Sequence, residues 1–90
     1  MFVYTNSYGD IVRWENEENV DIDEIECEHE IYNTLDELIY FVKKNIRFAL
    51  VIDERLFIGK TFYAAEINDI TGRFIKVHTF ELRLDIKKVQ

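Results

Sequence analysis

Apolar residues recur at helical spacing in the middle of the chain and follow other patterns on either side. Between residues 35 and 46 they fall three or four positions apart, on one face of a helix: Leu35, Leu38, Ile39, Val42 and Ile46. Thr34 and Glu37 have the spacing of a capping box, in which each side chain accepts a backbone N–H hydrogen bond at the helix start. Lys43 and Lys44 lie near the other end, where positive charge is favourable. The pattern predicts one amphipathic helix over about Leu35–Asn45.

Runs of aromatic and β-branched residues predict strands before and after this helix. Phe2–Thr5 and Ile11–Trp14 flank a polar segment that contains Gly9, which predicts a β-hairpin. The apolar run Phe48–Ile52 predicts a buried central strand, followed by a turn at residues 53–55.

The last third of the chain also has the pattern of strands. Leu56–Ile67 predicts a long strand, and residues 68–72 predict a hairpin loop with Gly72 in a left-handed conformation. Apolar positions then alternate with polar ones, with one set facing inward: Phe80, Leu82, Leu84 and Ile86. Apolar residues before His78 have the opposite phase, which predicts a shift in the strand near that residue.

The stretch from Glu24 to Tyr32 alternates with a period of two residues. One side of a strand would carry Ile25, Cys27, His29 and Ile31, and the other would carry Glu24, Glu26, Glu28 and Glu30. Val20 and Ile22 have the opposite phase, which indicates a bend near Asp23. The periodicity predicts a strand, and a helix is the alternative because glutamate is a poor strand former.

Together these elements predict an α+β fold in which one helix packs on an antiparallel sheet of about five or six strands. The chain of 90 residues has length for one modest core, so residues 1–90 are expected to form a single domain. Its 48% hydrophobic and 14% aromatic content is typical of a folded domain rather than of a disordered acidic tail.

Charge is concentrated in one part of the chain. Nine of the sixteen residues from Glu15 to Glu30 are acidic and none is Lys or Arg, so this stretch carries −9. Residues 1–14 carry 0 and residues 31–90 carry +2, which gives the net charge of −7. The sequence therefore indicates a nearly neutral domain with one concentrated block of negative charge, which favours partners with basic surfaces.

This charge distribution and the remaining composition exclude several classes of function. Direct binding to nucleic acid or to an anionic membrane requires a basic surface, so neither is expected. The longest apolar runs have five residues, far short of the roughly 20 of a membrane span, and the N-terminus lacks the pattern of a signal peptide. Cys27 has no partner for an intramolecular disulfide, so a reducing cytoplasm is the expected location.

The acidic row predicts a non-enzymatic binding protein that occupies the nucleic-acid-binding surface of a partner protein. Side chains two residues apart on a strand repeat every ~6.6 Å, which resembles the charge spacing of a nucleic-acid backbone. Small acidic phage and mobile-element proteins that inhibit DNA-binding enzymes are similar in composition, although no motif assigns this chain to a family. In this interpretation four residues replace phosphates: Glu24, Glu26, Glu28 and Glu30. Four others steer the encounter: Glu17, Glu18, Asp21 and Asp23.

Two other interpretations compete with this one. The glutamates are also compatible with a solvated, protective strand face. A subunit or immunity-type protein would instead recognise a partner by shape, through a sheet edge and aromatic residues such as Trp14 and Tyr32. Symmetric dimerisation through an uncovered strand edge is compatible with either kind of binding protein.

Catalytic and metal sites are not expected. Cys27 and His29 are poorly placed for a direct hydrogen bond, and no nucleophile, base and anion site occur together, so we predict no enzymatic activity and no cofactor. A calcium loop starting at Asp21 would require glycine and glutamate at the positions of Glu26 and Tyr32, so no metal site is expected.

Overall fold

Three helices and an antiparallel sheet make up the described part of this α+β protein. The computed structural model describes residues 1–53, 61–82 and 86–89, with side chains over residues 1–45 and 61–81. The elements in chain order are β1 (Phe2–Thr5), α1 (Tyr8–Asn16), α2 (Ile22–Glu28), β2 (Ile31–Tyr32), α3 (Leu35–Asp53), β3 (Thr61–Ile67), β4 (Phe74–Leu82) and β5 (Ile86–Val89).

The sheet has the order β2-β1-β3-β4-β5, and every neighbouring pair is antiparallel. Four of these strands have four or more residues, whereas β2 adds only two residues at one edge. The α+β class is therefore confirmed. The prediction of a single helix is wrong, since the described residues form three. Five or six full strands were predicted, and the described sheet has four full strands and this short edge strand.

Both faces of the sheet are covered, which the sequence interpretation did not anticipate. Val3 pairs with Ala65, and both side chains face α1 and α2. This first core layer comprises Val3, Ile11, Trp14, Val20, Ile25, Ala65 and Ile67. Alternate residues of the same strands face α3 in a second layer, which comprises Leu38, Val42, Phe62, Ala64 and Phe80.

The predicted hairpin over Phe2–Thr5 and Ile11–Trp14 is wrong, because Ile11–Trp14 lies in α1. Ile11 and Trp14 are three residues apart, so on a helix both side chains point to the sheet, and both are fully buried. Asp10 in the first turn accepts a hydrogen bond of 2.7 Å from the Thr5 hydroxyl. Helical spacing of two large residues therefore overrides the strand propensity of the run.

The helix beginning at Leu35 is confirmed, and so is one half of its predicted cap: the Thr34 hydroxyl accepts a hydrogen bond of 3.1 Å from the Glu37 backbone N–H. The helix continues to Asp53, so the predicted central strand Phe48–Ile52 is wrong. A short apolar run does not distinguish a strand from a buried part of a helix by its periodicity, which explains the error.

The C-terminal strands agree in part with the prediction. The loop at residues 68–72 is confirmed, with Gly72 at φ +76°. The last alternating stretch is two antiparallel strands, β4 and β5, rather than one. Apolar residues occur in both phases of β4 because each side of the sheet packs against helices. The predicted shift of the strand at His78 is therefore not needed. The pairing of β3 with β4 changes register between Glu66 and Ile67 instead. Two parts of the prediction lie outside the described residues: the turn and strand positions at residues 54–60, and Leu84.

We predict that Gly72→Ala lowers the free energy of unfolding by about 1–3 kcal/mol, since alanine is strained at this positive φ. The new Cβ would also overlap the Val20 carbonyl oxygen, where the Val20 N–H donates to the Gly72 carbonyl over 2.8 Å. Urea denaturation measures the change. Gly9→Ala is the matched control: Gly9 lies exposed in α1 and has room for a methyl group, so this variant should be neutral or slightly more stable. Equal effects of the two substitutions would contradict this account of the loop.

Candidate functional site

The acidic segment, residues 15–30, runs from the last turn of α1 through an irregular connector and α2 to the edge of the sheet. All nine of its carboxylate side chains are exposed: Glu15, Glu17, Glu18, Asp21, Asp23, Glu24, Glu26, Glu28 and Glu30. The structure thus places every acidic residue singled out from the sequence on the surface. They belong to one continuous segment of 16 residues.

The prediction that the glutamates form a row on one side of a strand is wrong, because Glu24, Glu26 and Glu28 lie in helix α2. Residues four apart share one side of a helix, so Glu24 and Glu28 are neighbours with a rise of about 6 Å between them, whereas Glu26 points to nearly the opposite side. Glu30 follows the helix, and its carbonyl accepts a hydrogen bond of 3.0 Å from the Tyr4 N–H. The carboxylates therefore spread over the solvent-exposed part of α2 instead of forming a line.

Local side-chain chemistry explains why α2 is a helix. The Asp21 carboxylate caps it by accepting hydrogen bonds of 3.1 and 3.3 Å from the N–H groups of Asp23 and Glu24. Negative charge in the first turn also interacts favourably with the helix dipole. These contributions favour a helix where two-residue alternation alone suggested a strand.

A few apolar contacts attach the acidic segment to the sheet. Val20 and Ile25 are 6% and 1% exposed and belong to the first core layer, together with Trp14. His29 lies edge-on against the Trp14 ring, with 5.1 Å between the ring centroids. The Val20 N–H also bonds to the loop at Gly72. The segment is thus held by its buried residues while its carboxylates remain in solvent.

The helix also separates residues that the strand pattern had grouped. Ile25 is buried, whereas Cys27 is exposed and His29 is half-buried against Trp14. The predicted shared face of Cys27 and His29 with Ile25 and Ile31 is therefore wrong.

Negative charge at the C-terminal end of α2 opposes the favoured arrangement of a helix. Glu26 and Glu28 lie where the dipole favours cations, and no basic residue lies in the last turn. Like charges four residues apart, at Glu24 and Glu28, add repulsion. This part of the sequence lowers the stability of its own helix, which favours a role for these side chains other than stabilisation.

The other notable group of titratable side chains is the pair formed by the buried His78 and the half-buried Glu66. His78 is 6% exposed, and its Nε2 lies 3.2 Å from a Glu66 carboxylate oxygen across strands β3 and β4. The Phe2 ring packs against the imidazole, with 5.8 Å between centroids. Within the part of the chain that the structure describes, no group of three or more His, Cys, Asp or Glu side chains is arranged to hold a metal ion.

The sequence interpretation missed a groove between β2 and α3. It is lined by Tyr32, Asp36, Glu37, Tyr40, Phe41 and Lys44. The Tyr32 and Phe41 rings are in contact, with centroids 5.4 Å apart, and the Tyr40 side chain is 70% exposed. Helical spacing of Glu37, Tyr40 and Lys44 was a detectable signal, but the placement of Tyr32 beside them depends on tertiary structure.

Aromatic residues divide between core and surface differently from the prediction. Trp14 is fully buried and Tyr32 is half-buried, so Trp14 belongs to the core and is not a surface contact. Tyr8 is 58% exposed and lies beside Tyr63, with ring centroids 5.5 Å apart. The exposed aromatic surface thus includes Tyr8 and Tyr40.

Comparisons of the chain with protein-family models, with curated proteins and with solved structures find no match. The helices in the described ranges include none with the length and apolar character needed to cross a bilayer.

We predict that Glu28→Lys raises the free energy of unfolding by roughly 0.3–1 kcal/mol at low ionic strength, because it removes repulsion and places a cation at the C-terminal end of α2. Glu24→Lys is the matched control, with the same change in net charge in the first turn of the same helix. It should give a smaller gain or a loss, because a cation there opposes the dipole. Thermal unfolding at low and high salt measures both. Equal stabilisation by the two variants would show that only net charge matters.

Proposed function

We propose that this chain is a non-enzymatic binding protein whose acidic segment docks on a basic surface of a partner protein. The sharpest form of the proposal is an inhibitor that occupies a nucleic-acid-binding surface in the cytoplasm. The observation that carries it is the exposure of all nine carboxylates in a segment without a single Lys or Arg. A surface of this kind attracts basic partners over long distances and accelerates their association.

The density of charge on α2 supports mimicry of nucleic acid, although the row of glutamates is absent. Seven residues at 1.5 Å each span about 10 Å and carry four carboxylates, or about one charge per 2.6 Å of helix axis. Duplex DNA carries one charge per ~1.7 Å along its axis, and each strand carries one per ~3.4 Å. The charge density of α2 falls between these two values. It therefore matches what a partner's nucleic-acid-binding surface neutralises when it binds phosphates.

Charge placed against the helix dipole supports the same proposal. Glu26 and Glu28 reduce the stability of α2, and a purely protective surface would not require them at these positions. Residues that lower stability commonly serve binding instead.

A second candidate function is recognition by shape, as in a subunit or immunity-type protein. The exposed side chains of Tyr8, Val12 and Tyr40 favour it, since tyrosine is enriched at binding hot spots. The edge strands β2 and β5 offer a further contact, and pairing of two copies along such an edge would give the homodimer. This candidate predicts binding that survives moderate salt and depends on Tyr8 rather than on the carboxylates.

Affinity capture from a cell lysate separates the two candidates. We expect wild type to retain a nucleic-acid-binding protein at low salt, to lose it as salt rises, and to release it when duplex DNA is added. Glu28→Lys should weaken capture strongly. Asp69→Lys is the matched control, because Asp69 is exposed outside the acidic segment and the substitution changes net charge equally.

The outcome that contradicts the proposal is capture of one non-basic partner with equal yield by wild type and Glu28→Lys. Loss of that partner with Tyr8→Ala would then assign the function to the aromatic surface. Circular dichroism must first establish that each variant is folded.

A further inference from the structure

The loop between β3 and β4 presents the most exposed large apolar side chain of the described residues. Ile70 is 88% exposed, whereas the other large apolar side chains on the described surface are between 41% and 70% exposed. A single exposed apolar residue is common and needs no explanation by itself. Ile70 differs from such residues in the order of its loop and in the charge that lies beside it.

Hydrogen bonds hold this loop in one conformation. The side-chain oxygen of Asn68 accepts from the N–H groups of Ile70 and Thr71 over 2.9 and 3.0 Å. The Asn68 carbonyl accepts from the Gly72 N–H over 2.8 Å, and the Thr71 hydroxyl accepts from the Arg73 N–H over 3.2 Å. These polar side chains shape the loop, whereas the Ile70 side chain remains almost entirely in solvent. An ordered loop presents this side chain to a partner at a low entropic cost.

The same loop lies against the acidic segment. The Val20 N–H donates to the Gly72 carbonyl over 2.8 Å, and the Asn19 side-chain amide donates to the Thr71 carbonyl over 3.1 Å. The Cα atom of Ile70 lies about 3.8 Å from that of Thr71, its neighbour in the chain. The exposed carboxylates nearest to this contact in the sequence of the segment are Glu17, Glu18 and Asp21. An apolar side chain therefore protrudes beside concentrated negative charge.

The end of the hairpin adds little charge of its own. Asp69 and Arg73 carry opposite formal charges, so the acidic segment determines the sign of the charge around Ile70. In protein interfaces, an apolar anchor commonly fills a pocket at the centre while polar groups form a rim around it. Ile70 and the neighbouring carboxylates have the composition of such an anchor and its rim.

The register of β3 and β4 exposes a second isoleucine at the same end of the hairpin. Glu66 pairs with Lys76 and Ile67 pairs with Phe74, so Ile75 is the extra residue of a bulge, and it is 53% exposed. Bulges commonly redirect a side chain near a functional surface. The apolar character of this end of the hairpin is therefore not limited to the loop.

From the charge complementarity and the continuity of these features, we propose that Ile70 and the acidic segment form one docking surface for a basic protein surface that contains a small apolar pocket. Ile70 fills the pocket, and carboxylates of the segment face cations around it. The inference rests on the proposed function for the basic character of the partner, and it adds the contact that selects among basic partners. Charge alone attracts many basic surfaces, whereas the pocket restricts binding to few of them.

The test uses a host molecule with this chemistry: α-cyclodextrin that carries trimethylammonium groups on one rim, so that permanent cations surround an apolar cavity. Calorimetry with the full chain measures affinity, and the methyl NMR signals of Ile70 locate the bound host. We expect these signals to shift most. The cationic host should bind roughly three- to tenfold more tightly than neutral α-cyclodextrin, because exposed ion pairs contribute modestly.

Two single variants test the apolar anchor. Ile70→Ser should weaken binding of the cationic host at least about fivefold, because it removes the group that enters the cavity. Tyr40→Ser is the matched control, since Tyr40 is also highly exposed but lies in α3, on the other side of the sheet from the acidic segment. It should leave binding unchanged. Thermal unfolding should show that both variants are as stable as wild type.

Two double variants test the charge beside the anchor. Glu17→Gln with Glu18→Gln should reduce the preference for the cationic host over the neutral one. Asp36→Asn with Glu37→Gln removes the same charge at exposed positions in the first turn of α3 and should preserve this preference.

Equal binding of the two hosts, or unchanged binding of the cationic host to Ile70→Ser, would overturn the inference. So would the capture of one basic protein with equal yield by wild type and Ile70→Ser after a wash at moderate salt, a result that leaves the proposed function intact. Because the host is synthetic, its preference for Ile70 is measured independently of affinity capture, so failure of the proposed function alone is also recognisable.

Discussion

The structure depends on the burial of a few apolar side chains beneath a segment that carries nine negative charges. Val20 and Ile25 enter the core layer that contains Trp14, and the backbone bond from Val20 to Gly72 fixes where the segment crosses the sheet. Repulsion among the carboxylates opposes this arrangement, and hydrophobic burial of side chains of this size contributes about 1.5–3 kcal/mol each. Because burial exceeds the repulsion of exposed, screened charges, the segment remains folded with its carboxylates outward.

Two surface features accompany this arrangement. The acidic segment faces solvent on the side of the sheet that α1 and α2 cover. The groove lies on the other side, between α3 and the edge strand β2. Glu30 connects them, since it ends the acidic segment and directly precedes β2. In the proposed function, the acidic segment supplies long-range attraction to a basic partner.

Sequence patterns predicted the parts of the fold that depend on local chemistry. The Thr34 cap, the start of α3 and the loop at Gly72 follow from particular residues at particular spacings. The patterns failed where two periods were both present: Ile11 and Trp14 fit a helix as well as a strand, and so does the stretch from Glu24 to Glu30. The exposure of the carboxylates could be predicted from their charge, whereas the groove could not, because β2 and α3 meet only in the tertiary structure.

The proposed docking surface requires that α2 is folded in the free protein and does not order only on binding. Amide hydrogen exchange of wild type and Ile25→Ala, without any partner, tests it most directly. We expect protection in wild type at Ile25 and His29, whose N–H groups bond to the carbonyls of Asp21 and Ile25 over 3.1 and 2.8 Å. Ile25→Ala should abolish this protection while strands β3 and β4 keep theirs. Exchange of the α2 amides in wild type at the rate of an unstructured peptide would contradict the account.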